Sequence, residues 1–503
     1  MVKVKFQTIL SDIVARLYDE TPLRYRDKFI RFALVYTLLT LTLSISADND
    51  ISYNYPNIPL IEIYTHNMEE PTCQRIDPPS GCFGISITNN DYVQGNMIVW
   101  MNHKIVYSSF NNEDVFGMKL KIRGNSTGAS LMQHPYKIKL NKKVDMFFTG
   151  DPLMENKEWI LLSIAVWNTQ FSNQTTDLTP ILGACVSRCL GTPWTPRYRF
   201  VNLVMNGTYR GCYVLTEAVS RSDGRINIKK NGFIIEYDAY WWKPGEEYFK
   251  TEHCHQGMGY TFKYPDNDDI TDSIKTLYRE YLNEVEQRIF DVKAEANDYI
   301  DYTSFARWLL IHDILGSYDA AGSNIFLYKE SMNPINFTTS LLKIGPTWDY
   351  DTCFKVGDGN LAQIHDSNIF YFTELIRKPL FIAEYCRQWN EIKDKLYDEV
   401  SSYFKTLLAD EGEAIDQSIK MSHELYGQTY SSIQYQSEEI LGLFKQRLNS
   451  LDDLINTPDL IYLPRCSSQD SKDYYYVLSG IRLPNKPKGG IYIKGGRKFI
   501  NNN

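Results

Sequence analysis

Apolar residues recur along the chain with two different periods, and the change between them divides the sequence. Between residues 58 and 140 the apolar positions alternate or run together between Pro, Asn and Gly turns, which is typical of β-strands. Two apolar runs flank Asn206-Gly207, and this dipeptide in such a setting predicts a β-hairpin over residues 198–216. A further strand is expected at 232–237. The first part of the chain is therefore predicted to be rich in strands.

After residue 266 the apolar spacing becomes helical. The helical segments are 270–289 and 305–315, where apolar side chains recur at helical spacing, and 378–455, which contains few Gly or Pro. A hairpin is expected at 324–348. These patterns predict an α+β fold with two lobes, a strand-rich N-terminal lobe at 58–265 and a helix-rich C-terminal lobe at 266–456. We expect a ligand site in the cleft between them, because ligands favour such junctions.

One helix is expected within the strand-rich part, at 181–190. Thr179 is suited to be its N-cap, Pro180 to be its first residue and Gly191 to end it.

The two ends of the chain differ from its body. Residues 24–31 are basic, residues 32–46 are apolar, and a small-residue cleavage point follows. This order is typical of a secretory signal, so residues 1–47 are interpreted as a signal peptide or a signal anchor, with a buried helix as the alternative. Residues 470–503 predict a short β tail with two strands around turns.

The composition narrows the classes of function. The chain has 503 residues with 61 acidic and 53 basic side chains, which gives a formal net charge of −8 at pH 7. A nucleic-acid-binding protein is not expected, because phosphate backbones need a basic surface. No long apolar run lies beyond the N-terminal segment, so a multi-span membrane protein is not expected either.

The sequence contains nine cysteines, an odd number. If the chain is exported, Cys73 and Cys82 are the expected local disulfide, because they bracket a Pro-Pro-Ser-Gly turn. The run Glu-His-Cys-His at 252–255 has metal-ligating side chains. Four adjacent residues cannot all face one ion, so we expect a loop there.

The segment 316–324 carries the first candidate chemistry. Asp319 and Asn324 are five positions apart, which is the spacing of a protein-kinase catalytic loop. In such a loop the carboxylate accepts the proton of the nucleophile and the amide oxygen binds Mg²⁺. Asp and Asn are also common in loops and caps, so the spacing alone does not identify a site.

A second acidic pair follows a predicted strand. Asp349 and Asp351 come just after it, and Mg²⁺ prefers oxygen ligands of this kind. Asp319, Asn324, the expected hairpin and Asp349 follow one another in the order of the catalytic base, metal-binding amide, hairpin and metal-binding carboxylate of a protein kinase. The usual Asp-Phe-Gly is absent. A polar turn after a strand is the alternative interpretation.

Eight short motifs follow one another between about residues 58 and 450. They are KIRGNST at 121–127, PYKIKL at 135–140, EWILL at 158–162, LGTP at 190–193, NGTYRGCYVLTE at 206–217, GFIIE at 232–236, NIFLY at 324–328 and WDYD at 348–351. Together they resemble the spore-coat protein H (CotH) kinase-like family. The resemblance implies an atypical protein-kinase-like fold that binds ATP and Mg²⁺ and phosphorylates protein substrates. The tail is similar to the sorting tails of exported Bacteroidetes proteins.

The resemblance also implies site residues in the helix-rich lobe. Asp319 would be the catalytic base, Asn324 and Asp349 would bind metal, and Asp351 would add a second carboxylate. The chain departs from the family pattern in three places: His134 stands at a usually basic position, segment 169–179 lacks an expected Arg, and the Gly after the Asp-x-Asp cluster is displaced to Gly357.

In the strand-rich lobe the resemblance implies contacts with ATP. Lys139, or Lys137 on the same strand face, would contact the phosphates. Glu217 would orient that lysine through an ion pair. Arg123 and Asn125 lie on a turn that would line the nucleotide site.

Together, the family resemblance and the signal pattern at 1–47 favour an exported atypical protein kinase that is periplasmic, secreted or attached to the cell surface and acts on a protein substrate. Two alternatives stay open. One is a non-catalytic surface binding or adhesion module, because a fold does not guarantee activity and ATP is scarce outside the cytoplasm. The other is nucleotidyl or acyl transfer at the same site.

Overall fold

The computed structural model describes residues 51–456, apart from 89–90, 112–113, 165–176, 318–319, 321–322, 355–360 and 362–369, together with four strands between residues 475 and 501. The signal or anchor expected at 1–47 lies outside the described residues. The described part is a mixed α+β fold, rich in strands before residue 266 and in helices after it. None of its helices combines the length and apolarity needed to cross a membrane.

Eight of the first ten strands form a sheet that closes on itself. The ten strands are β1 (Leu60–Thr65), β2 (Gln74–Ile76), β3 (Ser86–Thr88), β4 (Val93–Met101), β5 (Lys104–Ser108), β6 (Met118–Ile122), β7 (Tyr136–Val144), β8 (Asn156–Ser163), β9 (Tyr198–Met205) and β10 (Thr208–Glu217). The order in the sheet is β1-β9-β10-β8-β7-β6-β4-β5, and β1 also pairs with β4. Alternate residues such as Trp159, Leu161 and Tyr213 point inward and form a buried core. β2 and β3 form a separate hairpin.

A second sheet joins strands from both halves of the chain. Its strands are β11 (Phe233–Asp238), β12 (Tyr248–Phe249), β13 (Gly259–Tyr264), β14 (Ile325–Lys329) and β15 (Leu342–Ile344), in the order β12-β13-β11-β14-β15. β11 pairs directly with β14, so the sheet combines strands from before and after residue 266, where the apolar spacing changes from strand-like to helical. The tail forms a small sheet of four strands rather than two: β16 (Tyr475–Tyr476), β17 (Arg482–Leu483), β18 (Gly490–Lys494) and β19 (Arg497–Asn501).

The described residues form seven α-helices: α1 (Ser126–Ser130), α2 (Thr179–Cys189), α3 (Asp272–Phe290), α4 (Tyr302–Leu315), α5 (Phe372–Leu375), α6 (Pro379–Leu425) and α7 (Ile433–Asn456). Side chains cap the N-terminal ends of three of them: Thr271 accepts a hydrogen bond from the backbone N–H of Ile274, Asp301 from that of Ser304 and Ser432 from that of Tyr435. Gly316 ends α4 in the left-handed conformation, with φ 56°.

α6 connects the two parts of the fold. This helix of 47 residues packs against α4 and α7, and also against α2 and β10 of the closed sheet. In the contact with the sheet, the side-chain amide of Asn202 donates to Ser418 Oγ at 3.0 Å, and both residues are fully buried. The closed sheet and the helical part are therefore held together by one continuous element.

Several elements expected from the apolar pattern are confirmed. β9 and β10 form the hairpin around Asn206-Gly207, and both turn residues have positive φ (52° and 76°). β14 and β15 form the hairpin expected at 324–348. The helix expected at 181–190 is α2, but Thr179 is its first helical residue and Leu178 is the N-cap.

The expected disulfide between Cys73 and Cys82 is wrong, because both thiols are free. Cys73 packs against the core of the closed sheet, and its thiol donates to the carbonyl of Gly128 at 3.7 Å. Cys82 instead closes a turn, since its backbone N–H donates to the carbonyl of Pro79.

Candidate active site

A cleft of about 790 Å³ opens between the closed sheet and the second sheet. Its walls come from β6, β7 and the turn after β6, from β11 and β13, and from the segments around residues 324 and 349. The junction of α6 and α7 also borders it. Six of the nine residues expected in the site line this cleft: Arg123, Asn125, Lys137, Asn324, Asp349 and Asp351.

Asp349 gathers the acidic side of the cleft. Its carboxylate is hydrogen-bonded with the side chain of Asn324 and with Asp351. Although Asp349 is reached by solvent, it lies between the walls of the cleft, and the resulting desolvation raises the pKa of its carboxyl against the opposing effect of Arg123. Its φ of 61° is unusual for a residue other than Gly, and such strain is concentrated at functional sites.

These three residues offer hard oxygen ligands, two carboxylates and one amide. Mg²⁺ commonly takes one or two carboxylates and completes its coordination with water and phosphate oxygens. Within the described ranges, no group of three or more His, Cys, Asp and Glu side chains is arranged to hold a metal ion. A cation at Asp349 would therefore need ligands from outside these residue types.

The turn after β6 brings a cation opposite Asp349. Gly124 has φ 90°, and a Cβ there would lie 2.2 Å from Thr127 Oγ1, so the turn requires a glycine. Burial lowers the pKa of Arg123, whereas the carboxylates of Asp349 and Glu236 raise it. The turn therefore places the guanidinium of Arg123 close enough to interact electrostatically with both Asp349 and Glu236.

Asn125 follows in the same turn and links two parts of the fold. Its Oδ1 accepts hydrogen bonds from Ser86 Oγ at 2.8 Å and from Lys243 Nζ at 3.3 Å. Lys243 lies in the loop after β11, so this contact ties that loop to the closed sheet across the cleft.

Lysines on β6 and β7 form the basic wall. Lys121 and Lys137 are directly opposite each other on the two strands, and both line the cleft. Lys137 Nζ lies 3.1 Å from Glu158, and Lys139 Nζ lies 3.5 Å from the same carboxylate. Lys139 is 44% exposed and lies outside the cleft lining, so Lys137 is the better placed of the two expected lysines.

Glu217 does not orient these lysines, contrary to the expectation. It is 1% exposed and lies 3.0 Å from Arg197 and 3.7 Å from Arg225. It is the Cα partner of Trp159 on β8, and paired residues in antiparallel strands share a face, so it points to the side of the sheet opposite Glu158. Glu158 is instead the partner of Lys139 in the register, which explains why it holds both lysines.

Sequence reasoning missed several charged residues of the cleft. Glu236 and Asp238 on β11, Lys263 on β13 and the loop residue Lys243 all line it. Glu236 lies 2.7 Å from Lys263, and burial raises the pKa of Glu236 to about 7. A signal existed, because two carboxylates at alternate positions of an otherwise apolar strand are unusual.

Asp319, the expected base, lies outside the described residues, but its flanks are described. The chain leaves α4 at Gly316 and enters β14 directly after Asn324. Ser317 Oγ is 2.7 Å from Thr352 Oγ1, which ties this segment to the one that carries Asp351. Segment 169–179 is described only from residue 177 onward.

The run at 252–255 forms a loop before β13. The ring of His253 stacks on Phe290, with 4.2 Å between centroids. His255 instead stacks on Phe83, so the two imidazoles face different neighbours.

Comparison with known proteins identifies one family. The family model described as "CotH kinase protein" matches residues 120–451, which is more than half of the 503 residues. The match includes the basic wall, the second sheet and the segments that carry Asn324 and Asp349, and it confirms the resemblance seen in the motifs. No curated protein matches the chain.

Proposed function

The chain belongs to the CotH kinase family, and we propose that it is an exported atypical protein kinase with a two-lobed, kinase-like fold. It transfers the γ-phosphate of ATP to a hydroxyl group of a protein substrate and uses Mg²⁺.

One observation carries this proposal: cations and oxygen ligands face each other in one cleft. Lys121, Lys137 and Arg123 come from the closed sheet, whereas Asn324 and Asp349 come from segments beside the second sheet. Arg123 and Asp349 are near enough that each shifts the pKa of the other. Phosphoryl transfer depends mainly on positioning and on stabilising anionic oxygens, so it needs both kinds of group together.

The residues present fit ATP and Mg²⁺. The cleft volume of about 790 Å³ lies in the usual range for small-molecule sites. Lys121, Lys137 and Lys243 would hold the phosphates, and Asn324, Asp349 and Asp351 would hold the metal. When bound, the metal would neutralise negative charge on the phosphates.

Each residue has a role in this proposal. Asp319 accepts the proton of the substrate hydroxyl as the catalytic base. Glu158 keeps Lys137 oriented toward the cleft. Glu217 acts at a distance by fixing Arg197 and Arg225, without contacting the nucleotide.

The proposal is tested by incubating the full chain with γ-³²P-labelled ATP, Mg²⁺ and a generic protein substrate. We expect label in the substrate or in the chain itself, and we expect Asp319→Asn to abolish it. Asp398→Asn is the matched control, because Asp398 is an exposed carboxylate on α6. Both variants should keep the circular dichroism spectrum of the parent.

Three outcomes would contradict the proposal. Unchanged labelling in Asp319→Asn would show that Asp319 is not the catalytic base. Transfer of label from α-³²P-labelled ATP would indicate nucleotidyl transfer. Tight Mg-dependent ATP binding, or no ATP binding, without any transfer would favour a non-catalytic binding module.

A further inference from the structure

A second cavity of about 220 Å³ lies outside the cleft. Its walls come from the turn after α2, the turn between β10 and β11, helix α4, and strands β14 and β15. No lining residue is shared by the two cavities. The motifs and the proposed function use none of its charged side chains except Arg225, which packs against Glu217.

The charge of this cavity is mainly positive. Its lining contains Arg225, Arg307 and Lys343 against one carboxylate, that of Asp223. Arg225 is already engaged, because its guanidinium donates to the carbonyls of Ala218 and Glu158. Arg307 and Lys343 are thus the cations that a ligand would meet.

Two of the three guanidinium nitrogens of Arg307 are hydrogen-bonded within the protein. Its Nε donates to Gln388 Oε1 at 3.0 Å, and its Nη1 donates to the carbonyl of Gly191 at 2.6 Å. Within the described part of the chain, its Nη2 makes no hydrogen bond. Two anchored nitrogens fix the plane of the guanidinium, so little conformational entropy would be lost when the third binds an anion.

Lys343 is the looser cation. Its Nζ lies 3.8 Å from Asp301 Oδ2, which is a long ion pair, and its side chain is 40% exposed. An exposed ion pair of this length contributes little, so the ammonium group can turn toward another anion at small cost.

Part of the remaining wall is apolar and aromatic, and polar residues such as Thr192, Asn227 and Ser304 complete it. Trp194, Tyr328 and Pro346 line the cavity, and Trp308, which is 1% exposed, forms part of its wall. The indole N–H of Trp308 has no acceptor in the described structure. Buried donors without an acceptor are uncommon, and a bound acceptor or water usually satisfies them.

We propose that this cavity binds a small aromatic anion, a carboxylate or phosphate, with its charge held by Arg307 and Lys343 and its ring against the aromatic wall. The volume is below the ~300 Å³ at which drug-sized sites begin, so one ring is the expected size. Because the cavity combines two available cations with aromatic side chains, an inorganic anion or an uncharged ring should bind more weakly than an aromatic anion.

One continuous segment of the chain lines first this cavity and then the cleft. Gly345, Pro346 and Thr347 form part of the cavity wall, and the next residues are Trp348 and Asp349 in the cleft. The anion would therefore contact the segment that carries Asp349, yet its binding does not depend on the proposed kinase activity.

Calorimetry without nucleotide tests the proposal, with benzoate and phenyl phosphate as probes and with benzyl alcohol and inorganic phosphate as controls. We expect at least one aromatic anion to bind more tightly than both controls. Arg307→Gln and Lys343→Gln should each weaken binding about tenfold, since a charge-assisted hydrogen bond is lost. Lys137→Gln, which alters the cleft, should leave it unchanged.

Equal binding of benzyl alcohol, or of inorganic phosphate, would overturn the proposal. So would loss of binding in Lys137→Gln with retention in Lys343→Gln, because this would place the anion in the cleft. Arg307→Gln removes two internal hydrogen bonds, so its thermal unfolding is measured in parallel. The exposed Lys343 gives the decisive result if Arg307→Gln is unstable.

Discussion

Lys121 shares the cleft with three further lysines, and two of them, Lys137 and Lys243, are near enough to act on its charge. Partial burial and the positive charges of these neighbours lower the pKa of Lys121 to about 8, whereas Glu246 and Glu158 act in the opposite direction. A bound polyphosphate would favour the charged form, because opposite charges at short range stabilise each other.

Metal-free ATP should therefore bind more weakly as the pH rises from about 7 to about 9, because a lysine is cationic below its pKa and neutral above it. Lys121→Arg keeps its charge over this range, so its affinity should fall less. The measurement is the Kd for ATP in the presence of EDTA at several pH values. Glu236, with a pKa raised to about 7, becomes anionic in both proteins, so the difference between them reports Lys121. Parallel pH profiles would contradict the prediction.

Glu217 and Glu158 show how burial decides the contribution of a carboxylate. Glu217 is 1% exposed and lies near two guanidinium groups, those of Arg197 and Arg225. Glu158 is partly exposed and pairs with lysines that solvent also reaches. Removing a charge from a buried pair leaves its partners without compensation, whereas partly exposed pairs contribute little.

Glu217→Gln should therefore lower the free energy of unfolding by about 3–5 kcal/mol. Glu158→Gln, the matched control on the neighbouring strand, should lower it by about 1 kcal/mol or less. Urea unfolding followed by circular dichroism measures both. In contrast, nucleotide binding should be weakened more by Glu158→Gln, since this change frees Lys137. Similar losses of stability in the two variants would show that the ion pairs of Glu217 with Arg197 and Arg225 contribute no more to stability than those of Glu158.

At the scale of elements, a bulge in β10 allows α6 to approach the closed sheet. The register with β9 shifts between Tyr209 and Gly211, and Gly211 has φ 101°. A Cβ at this position would lie 2.5 Å from Ser422 Oγ and 2.8 Å from Gln133 Nε2. Glycine is therefore needed for both the backbone conformation and the close packing of the helix.

Gly211→Ala should destabilise the protein by about 3 kcal/mol, because it adds a steric clash to backbone strain. Gly207→Ala is a suitable control, since Gly207 also has positive φ (76°) but has no atom within 4 Å of the added Cβ. Strain alone should cost about 1 kcal/mol there. Chemical denaturation gives the free energy of unfolding of both variants. Equal losses would contradict the prediction, because they would show that α6 can move away from the added methyl group without a loss of stability.

At the scale of the whole molecule, α6 couples the closed sheet to the helical part. Besides the bond between Asn202 and Ser418, Tyr426 donates to the carbonyl of Arg210 at 2.9 Å. These contacts tie the C-terminal end of α6 to β9 and β10, while its other end packs on α4. We expect the two parts to unfold together, because neither can lose α6 without exposing buried surface.

Ser418→Ala should lower the opening free energy of β9, β10 and the C-terminal half of α6 by the same amount, about 1 kcal/mol. The buried amide of Asn202 loses its shorter hydrogen bond and keeps only the one of 3.5 Å to the carbonyl of Pro56. Because α6 is shared, the loss should affect both sides. Ser402→Ala, at an exposed position of the same helix, should have little effect. Native-state hydrogen exchange measures each segment separately. A change confined to α6 would show that the helix and the sheet open independently.

The local pattern of the sequence predicted much of the fold. Asn206-Gly207 set the β9–β10 hairpin, because only a few residues accept the positive φ of both turn positions. Helical spacing predicted α3 and α4, since the face that must be buried repeats every three to four residues. The motifs were specific enough to identify the family. The two strands of the 324–348 hairpin were also expected, but not that they would complete a sheet begun by β11.

The arrangement of side chains in the cleft was decided by tertiary structure. Glu217 was expected to hold a lysine, but register places Glu158 there. Lys121, Lys243 and Glu236 were not expected in the site at all. Hydrophobic periodicity reports how one segment presents its own faces, and it acts over a few residues. Which faces meet depends on strand order and register between segments far apart in the chain, so the sequence alone determined the elements and the family, whereas the folded chain decided which charges face one another.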